Sequence, residues 1–282
     1  NIKNNINNNV TTKIIILIIL ILLYTLLHYT LYSNDFLNEK IRKNMCNENK
    51  NKIYLKKFKK MKKVVYTVNL GKYDEIKTIP KEEGWDYINI IDWNITEEEK
   101  NNSNWTFIMI LDYINNMNVT RAKKQRFIKL HPHLFFKKYE LSLYIDSNYI
   151  LLGNLNNLII RVLSPNINIM NLEHRTRNNI HDEFKQVLLL GKDKKEMIQK
   201  IKEKYKAEKF PDNLGLGDNS IILRRHNEKN CINLMEKWWE EIKSFSSRDQ
   251  ISFGYILWKE KQKIKYIAKN FVFEFFERIP HK

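Results

Sequence analysis

Cysteine is nearly missing from this chain. Cys46 and Cys231 are the only two among 282 residues, one ahead of the folded region and one within it, so no disulfide framework or zinc spacing is available. A Gly-x-Ser-x-Gly elbow and a His-Glu-x-x-His helix are also absent, which leaves a hydrolase without an organised nucleophile or zinc set. The glycines at 214–217 do not form a phosphate-loop pattern. No internal repeat is visible, and low-complexity sequence is confined to the N-terminal stretch and the segment after it.

Acidic residues are outnumbered. Lys and Arg total 49 against 32 Asp and Glu, a formal charge of +17, but the excess is local. Residues 40–63 hold eleven Lys or Arg against Glu48 alone, and a stalk of this kind solvates itself or touches anionic lipid more readily than it reads nucleic acid. Nucleic acid is therefore not an expected partner. The abundance of Asn, Lys and Ile also follows AT-rich codons, which weakens any argument from lysine number.

From Ile14 to Tyr32 the residues are aliphatic or aromatic apart from Thr25, His28 and Thr30, a run that spans roughly 28 Å as a helix. It ends in bulky residues without a small-residue cleavage pattern, so an uncleaved signal-anchor is expected rather than a signal peptide. The resulting division is an N-terminal tail at 1–13, a transmembrane anchor at 14–32, a basic stalk at 33–63 and a folded domain at 64–282. Orientation is contested. Lys and Arg are denser on the C-terminal side of the run, which favours a cytosolic domain. The sequons at Asn94, Asn101, Asn104 and Asn118 favour a glycoprotein domain in the Golgi or ER lumen, which is the expected placement.

Within the domain, strands alternate with helices. Val64 to Gly71 and Trp85 to Asp92 read as strands, residues 107–117 as a short amphipathic helix and 120–130 as a basic one. Leu141 to Ile145, Ile167 to Asn171 and Ser220 to Leu223 are further strands. Residues 154–163, Lys229 to Ser244 and Asp249 to Glu260 read as helical, and Glu183 to Glu208 as a long polar helix pair around Gly191. This alternation predicts an α/β layered fold, whose ligands bind beyond the carboxyl ends of the strands.

Several motifs carry candidate chemistry. Asp146-Ser-Asn148 closes an apolar strand, so a carboxylate and an amide carbonyl enter a short turn where a hard cation can be held with one formal charge fewer than in Asp-x-Asp. The same residues are ordinary turn formers. Gly71, Tyr73 and Asp74 follow the first strand and can hold a nucleobase and ribose. Arg121, Arg126 and Lys129 share one helical face and can neutralise a diphosphate. Pro132 in Lys129-Leu-His-Pro-His ends that helix and fixes two histidines near the turn. Gly215 and Gly217 allow a sugar close to backbone, and Asp249 opens a helix after Ser-Ser-Arg, where simple capping is the plainer reading.

The order of these motifs, YTVNLGKYD at 66–74, RFIKLHPH at 126–133, YELSLYIDSN at 139–148, Glu173-His174-Arg175, His181-Asp182-Glu183 and SSRDQISFGYILW at 246–258, resembles a plant and microbial glycosyltransferase-like family long known only as a domain of unknown function. Some of its members carry ceramidase or mucilage hexosyltransferase labels. That family is similar to GT-A glycosyltransferases of the glycogenin and galactosyltransferase-like group. The resemblance implies a GT-A-like (Rossmann-like) mixed sheet flanked by helices, and a hexose moved from a nucleotide-sugar donor to a glycan, protein or lipid acceptor. It implies Asp146 and Asp249 as catalytic carboxylates, with Asp249 facing the transferring sugar as a base or a sugar contact. Donor contacts would come from Thr67, Gly71, Tyr73, Asp74, Arg121, Lys129, Asn148 and Gly215. His174, Arg175 and Glu183 would lie near the sugar or acceptor, and Mn²⁺ or Mg²⁺ would sit on Asp146, Asn148 and His281. A tethered nucleotide-sugar or glycan-binding module without catalysis is the alternative, ahead of a hydrolase.

Overall fold

The computed structural model divides the chain into two units, Asn1–Phe58 and Lys59–Lys282, and describes residues 58, 60–162, 167–268 and 273–281. The expected anchor at 14–32 and almost all of the expected stalk lie outside the described residues. Among the described residues, no helix is long and apolar enough to cross a membrane.

The second unit is built on a seven-stranded sheet. Its strands are β1 (Lys63–Asn69), β2 (Trp85–Ile91), β3 (Thr106–Met109), β4 (Leu141–Ile145), β6 (Ile169–Glu173), β7 (Gly217–Arg224) and β8 (Lys265–Ile267), in the order β3-β2-β1-β4-β7-β6-β8. The strands β5 (Tyr149–Leu151) and β9 (Phe276–Arg278) form a separate antiparallel pair. β1 pairs in parallel with both β2 and β4, whereas β7 runs antiparallel to both β4 and β6. The sheet is therefore mixed, and the α/β reading holds.

β1 and β4 are buried at every position, as a central strand covered on both faces requires. The helices Arg121–Leu130, Lys229–Ser244 and Asp249–Lys259 pack together and against β1 and β7. Trp238, fully buried on one of them, packs against Phe253 with ring centres 4.1 Å apart and planes tilted by 31°, and donates its indole N–H to Ser252 Oγ at 3.0 Å. That donation satisfies the polar atom such a large side chain brings into the core.

One expectation is corrected. Residues 107–117 do not form a helix: 106–109 pair with β2 as an edge strand, and only Leu111–Asn115 is helical. The backbone bonds of Ile88 to Ile91 had no partner visible in local sequence, and they recruit this segment. The helix pair expected around Gly191 is present as Ile180–Leu189 and Lys195–Ala207, separated by Gly191 at φ +59°, a conformation that ends a helix at little cost for glycine.

Candidate active site

β1 and β4 lie side by side and run parallel, while chain order carries one flank of the sheet toward β2 and β3 and the other toward β7 and β6. A crevice opens at such a switch point, beyond the carboxyl ends of the strands. Here it is a cleft of about 690 Å³. Tyr73 and Asp74 follow β1, Asp146 and Ser147 follow β4, and His174 to Arg177 follow β6; Asp218 and Ser220 start the reversed β7.

Helix Arg121–Leu130 supplies the cationic wall. Thr120 caps its start by accepting from the Lys123 N–H at 3.4 Å. Its end is pinned at the Lys129 carbonyl, which accepts from Tyr66 Oη at 2.6 Å and from the fully buried Arg224 at 2.9 Å. A guanidinium at a helix C-terminus also complements its dipole. The pinned helix carries Arg121, Arg126 and Lys129 to the cleft.

Lys129, only 1% exposed, holds the floor. Its Nζ donates to Asp249 Oδ2 at 2.6 Å, lies 3.8 Å from Asp146 Oδ1 and stands 4.7 Å from the Tyr144 ring centre. Arg126 Nε reaches Asp249 at 3.2 Å. Burial opposes ionisation of Asp249, but the adjacent Arg126 and Lys129 outweigh it and hold the carboxyl down at about 2. Asp249 is the first residue of its helix and makes no side-chain cap bond, so the capping reading does not describe it. Asp146 accepts from Tyr144 Oη at 2.5 Å. Burial first, and that carboxylate second, push the Tyr144 phenol well above its usual range.

At the β1 side, Gly71 takes φ +71° and its N–H donates to Asp92 at 2.6 Å, while the Arg121 guanidinium lies over its bare Cα. Asp74 accepts from the Ser147 hydroxyl and faces His281 Nδ1 at 2.9 Å. His281 in turn packs on Tyr73, ring centres 5.1 Å apart. At the β6 side, Arg175 donates to Tyr149 Oη at 2.6 Å, and that oxygen also accepts from Ser220 at 3.0 Å. Burial, and secondarily Arg177, lower the His174 pKa, which leaves a neutral ring whose Nδ1 accepts the Arg177 N–H at 3.1 Å.

Of the expected site residues, Tyr73, Asp74, Arg121, Lys129, Asp146, His174, Arg175, Asp249 and His281 line one cleft. Four do not. Thr67 is buried beside a separate cavity of about 10 Å³. Gly215 is exposed and lies outside the cleft. Glu183 is buried as the acceptor of Arg177 at 2.6 Å. Asn148 turns inward, donating Nδ2 to the Ile279 carbonyl at 2.9 Å while its backbone carbonyl accepts the Ile279 N–H at 2.8 Å.

The three expected metal ligands do not make a metal site as they stand. The Asn148 amide clasps the strand end at Ile279, His281 is turned to Asp74, and Asp146 shares its surroundings with the Lys129 ammonium. Among the described residues, no group of three or more His, Cys, Asp or Glu is arranged to hold a metal ion. The two histidines of the Lys-Leu-His-Pro-His motif are also elsewhere: His131 and His133 both face Glu236, at 3.3 and 3.0 Å.

Asp218, Arg177, Arg248 and Arg278 were not singled out in the sequence, yet they line the cleft. The signal for Asp218 was its place at the head of a strand reversed against its neighbours, which requires knowing the strand direction. Altogether the lining carries eight Lys or Arg against four Asp, and this is the composition of an anion-binding site.

A mixed α/β sheet with a cationic, carboxylate-bearing cleft at its switch point is a frame suited to holding an anionic ligand. The chain belongs to the TOD1/MUCI70 glycosyltransferase-like domain family, whose sequence profile matches residues 36–281. No curated protein matches it in sequence. Among solved structures it is similar to the apo bifunctional glycosyltransferase WbbM, with 12% identity over 74% of this chain and 39% of that one and a TM-score of 0.47. Mouse xyloside xylosyltransferase 1 is similar at 9% identity, 72% and 83% coverage and a TM-score of 0.42. The mannosyltransferase Ktr4p of S. cerevisiae follows at 11% identity, 79% and 71% coverage and a TM-score of 0.41. The chain thus spans well under half the length of WbbM.

Proposed function

We propose that this glycosyltransferase-like domain is an active GT-A-type hexosyltransferase that uses a nucleotide-sugar donor, tethered by residues 14–32 with the domain in the Golgi or ER lumen. The observation that carries the reading is the grouping of Asp146, Asp249 and the Arg121–Lys129 face in one cleft at the β1/β4 switch point. A merely structural turn and a helix start would have no reason to meet there. The four sequon asparagines, all exposed, support the lumenal placement.

In transfer, the acceptor oxygen bonds to the anomeric carbon as the bond to the nucleoside diphosphate breaks, and the charge left on the diphosphate must be stabilised. Arg121 and Arg126, with side chains 69% and 19% exposed, are placed to meet that charge. Lys129 is too deeply buried to do more than bias the field and orient its two carboxylates. Asp249, held near pKa 2 by its cations, is a poor base and serves to position Lys129 and Arg126. Asp146 is the most open of the four cleft carboxylates, 30% exposed against 11% for Asp218 and 5% for Asp74 and Asp249. It is the group to accept the acceptor's proton or to contact the sugar.

Calorimetry with uridine and guanosine diphosphates, followed by donor-sugar transfer assays, tests the proposal. Nucleotide binding with transfer that Asp146→Ala abolishes is the expected result. Binding without any transfer would indicate the tethered binding module, and no binding would remove the donor reading. Endoglycosidase treatment after expression in eukaryotic cells should shift gel mobility if the domain is lumenal.

A further inference from the structure

The cations of the cleft are not equally engaged. Arg126 and Lys129 face Asp249, Arg177 faces Glu183 at 2.6 Å, Arg121 faces Asp92 at 3.7 Å and Arg175 faces Asp218 at 4.0 Å. Among the described residues, Lys192, Arg248 and Arg278 have no carboxylate at ion-pair distance. Arg278 belongs to the wall shared with His281 and Tyr73, beside the β1 loop. Lys192 and Arg248 come from the segments after helix Ile180–Leu189 and before helix Asp249–Lys259.

Those two segments form a built surface. Ser246 donates its hydroxyl to Asp193, joining the turn after Lys192 to the segment before Arg248, and accepts the Arg248 N–H at 3.0 Å. Asp193 also caps the Lys194 N–H at 2.7 Å. Arg248 Nη2 donates to the neutral Gln250 at 2.9 Å, while its Nε is buried with no partner at all. A buried guanidinium N–H left without an acceptor carries a standing cost, which an incoming anion would remove. Gln186 and Leu190 complete this wall with one amide and one apolar side chain.

With the donor diphosphate on the Arg121 and Arg126 face, as the proposed function has it, the unpaired Lys192 and Arg248 are left for the acceptor. We propose that the acceptor is an acidic saccharide, and that Arg248 and Lys192 bind its anionic substituent, a carboxylate or a sulfate. This rests on the glycosyltransferase reading of the cleft and adds the class of acceptor to it.

The test is calorimetry on the whole protein saturated with uridine diphosphate, titrated with cellobiouronic acid, glucose 6-sulfate and neutral cellobiose. At least one acidic probe should bind about tenfold more tightly than cellobiose, the worth of one charge-assisted hydrogen bond. Whichever acid binds identifies the substituent. Arg248→Met and Lys192→Met should each remove that preference while leaving uridine diphosphate affinity within about twofold. Equal binding of acidic and neutral probes would overturn the proposal. So would a loss of uridine diphosphate affinity in Arg248→Met matching the loss for the acid, since the pair would then serve the donor phosphates. Failure of the unaltered protein to bind uridine diphosphate is a separate result and counts against the glycosyltransferase reading instead.

Discussion

Lys129 Nζ lies 2.6 Å from Asp249 and 3.8 Å from Asp146, so a single buried ammonium ties together the two carboxylates on which the cleft is organised. Replacing it removes a buried charge from between two others. Lys129→Met should destabilise the domain by about 3 kcal/mol, as the loss of one partner of a buried pair does, read as a lowered urea midpoint. Asp249→Asn in the same background should recover part of that loss. An unchanged midpoint in Lys129→Met would show that the ammonium is not held as described.

The depressed pKa of Asp249, about 2 against an ordinary value of 3.8, is linked to stability. A carboxyl that ionises more readily when folded stabilises the fold above its unfolded pKa, and that contribution disappears as pH falls from about 4 through 2. Its size is about 2 kcal/mol. Unfolding free energy measured between pH 5 and 2 should fall less steeply in Asp249→Asn than in the unaltered protein, and identical slopes would contradict the ion-pair assignment.

His226 acts in the same direction at higher pH. It is 1% exposed and donates Nε2–H to the Phe136 carbonyl at 3.0 Å; burial pulls its pKa down from 6.5 to about 4. The unfolded chain therefore binds a proton between pH 6.5 and 4 that the folded chain refuses, so stability drops as pH falls through that window. Between pH 8 and pH 5 the loss from this one residue is about 2 kcal/mol, and titrating the His226 ring by NMR gives the folded pKa directly. A value near 6.5 would remove the prediction.

Asn148→Asp, a change that would ordinarily strengthen a metal site, should instead harm this one. The amide donates to the Ile279 carbonyl, and a carboxylate would set oxygen against oxygen. A loss of about 2 kcal/mol is expected, with faster proteolysis of 276–281 and no gain in Mn²⁺ affinity by calorimetry. Tight Mn²⁺ binding by the variant would restore the metal assignment.

Gly71→Ala tests the β1 loop. A Cβ there would stand 2.5 Å from Arg121 Nη1, at φ +71°, so the guanidinium must move and the backbone is strained by about 1 kcal/mol. Nucleoside diphosphate affinity should fall with little change in secondary structure by circular dichroism. Unaltered affinity would place Arg121 outside the donor site.

Most of the fold was readable because its central strands are continuous apolar runs ending in polar turns. Val64 to Asn69 and Leu141 to Ile145 announce themselves in this way, as does the helix of Arg121 to Leu130 by its cap and basic face. What escaped were short elements whose form depends on a distant partner: β3, which looks helical until β2 offers a ladder, and β9, which exists only against β5. The site divides along the same line. Asp146, Lys129 and Asp249 sit in distinctive local contexts. The inward turn of Asn148 depends on Ile279, and the usefulness of Asp218 depends on the reversal of β7, and neither is written in the flanking residues.

The contact between Asp74 and His281 spans 207 residues. Joining points so far apart costs more chain entropy than forming β1 beside β2, and it yields little until both neighbourhoods are already in place. Refolding should therefore separate in time, with tryptophan burial around Trp238 reporting early collapse and nucleotide binding recovering only in a later phase. The wall that completes the cleft is the part of the domain that arrives last.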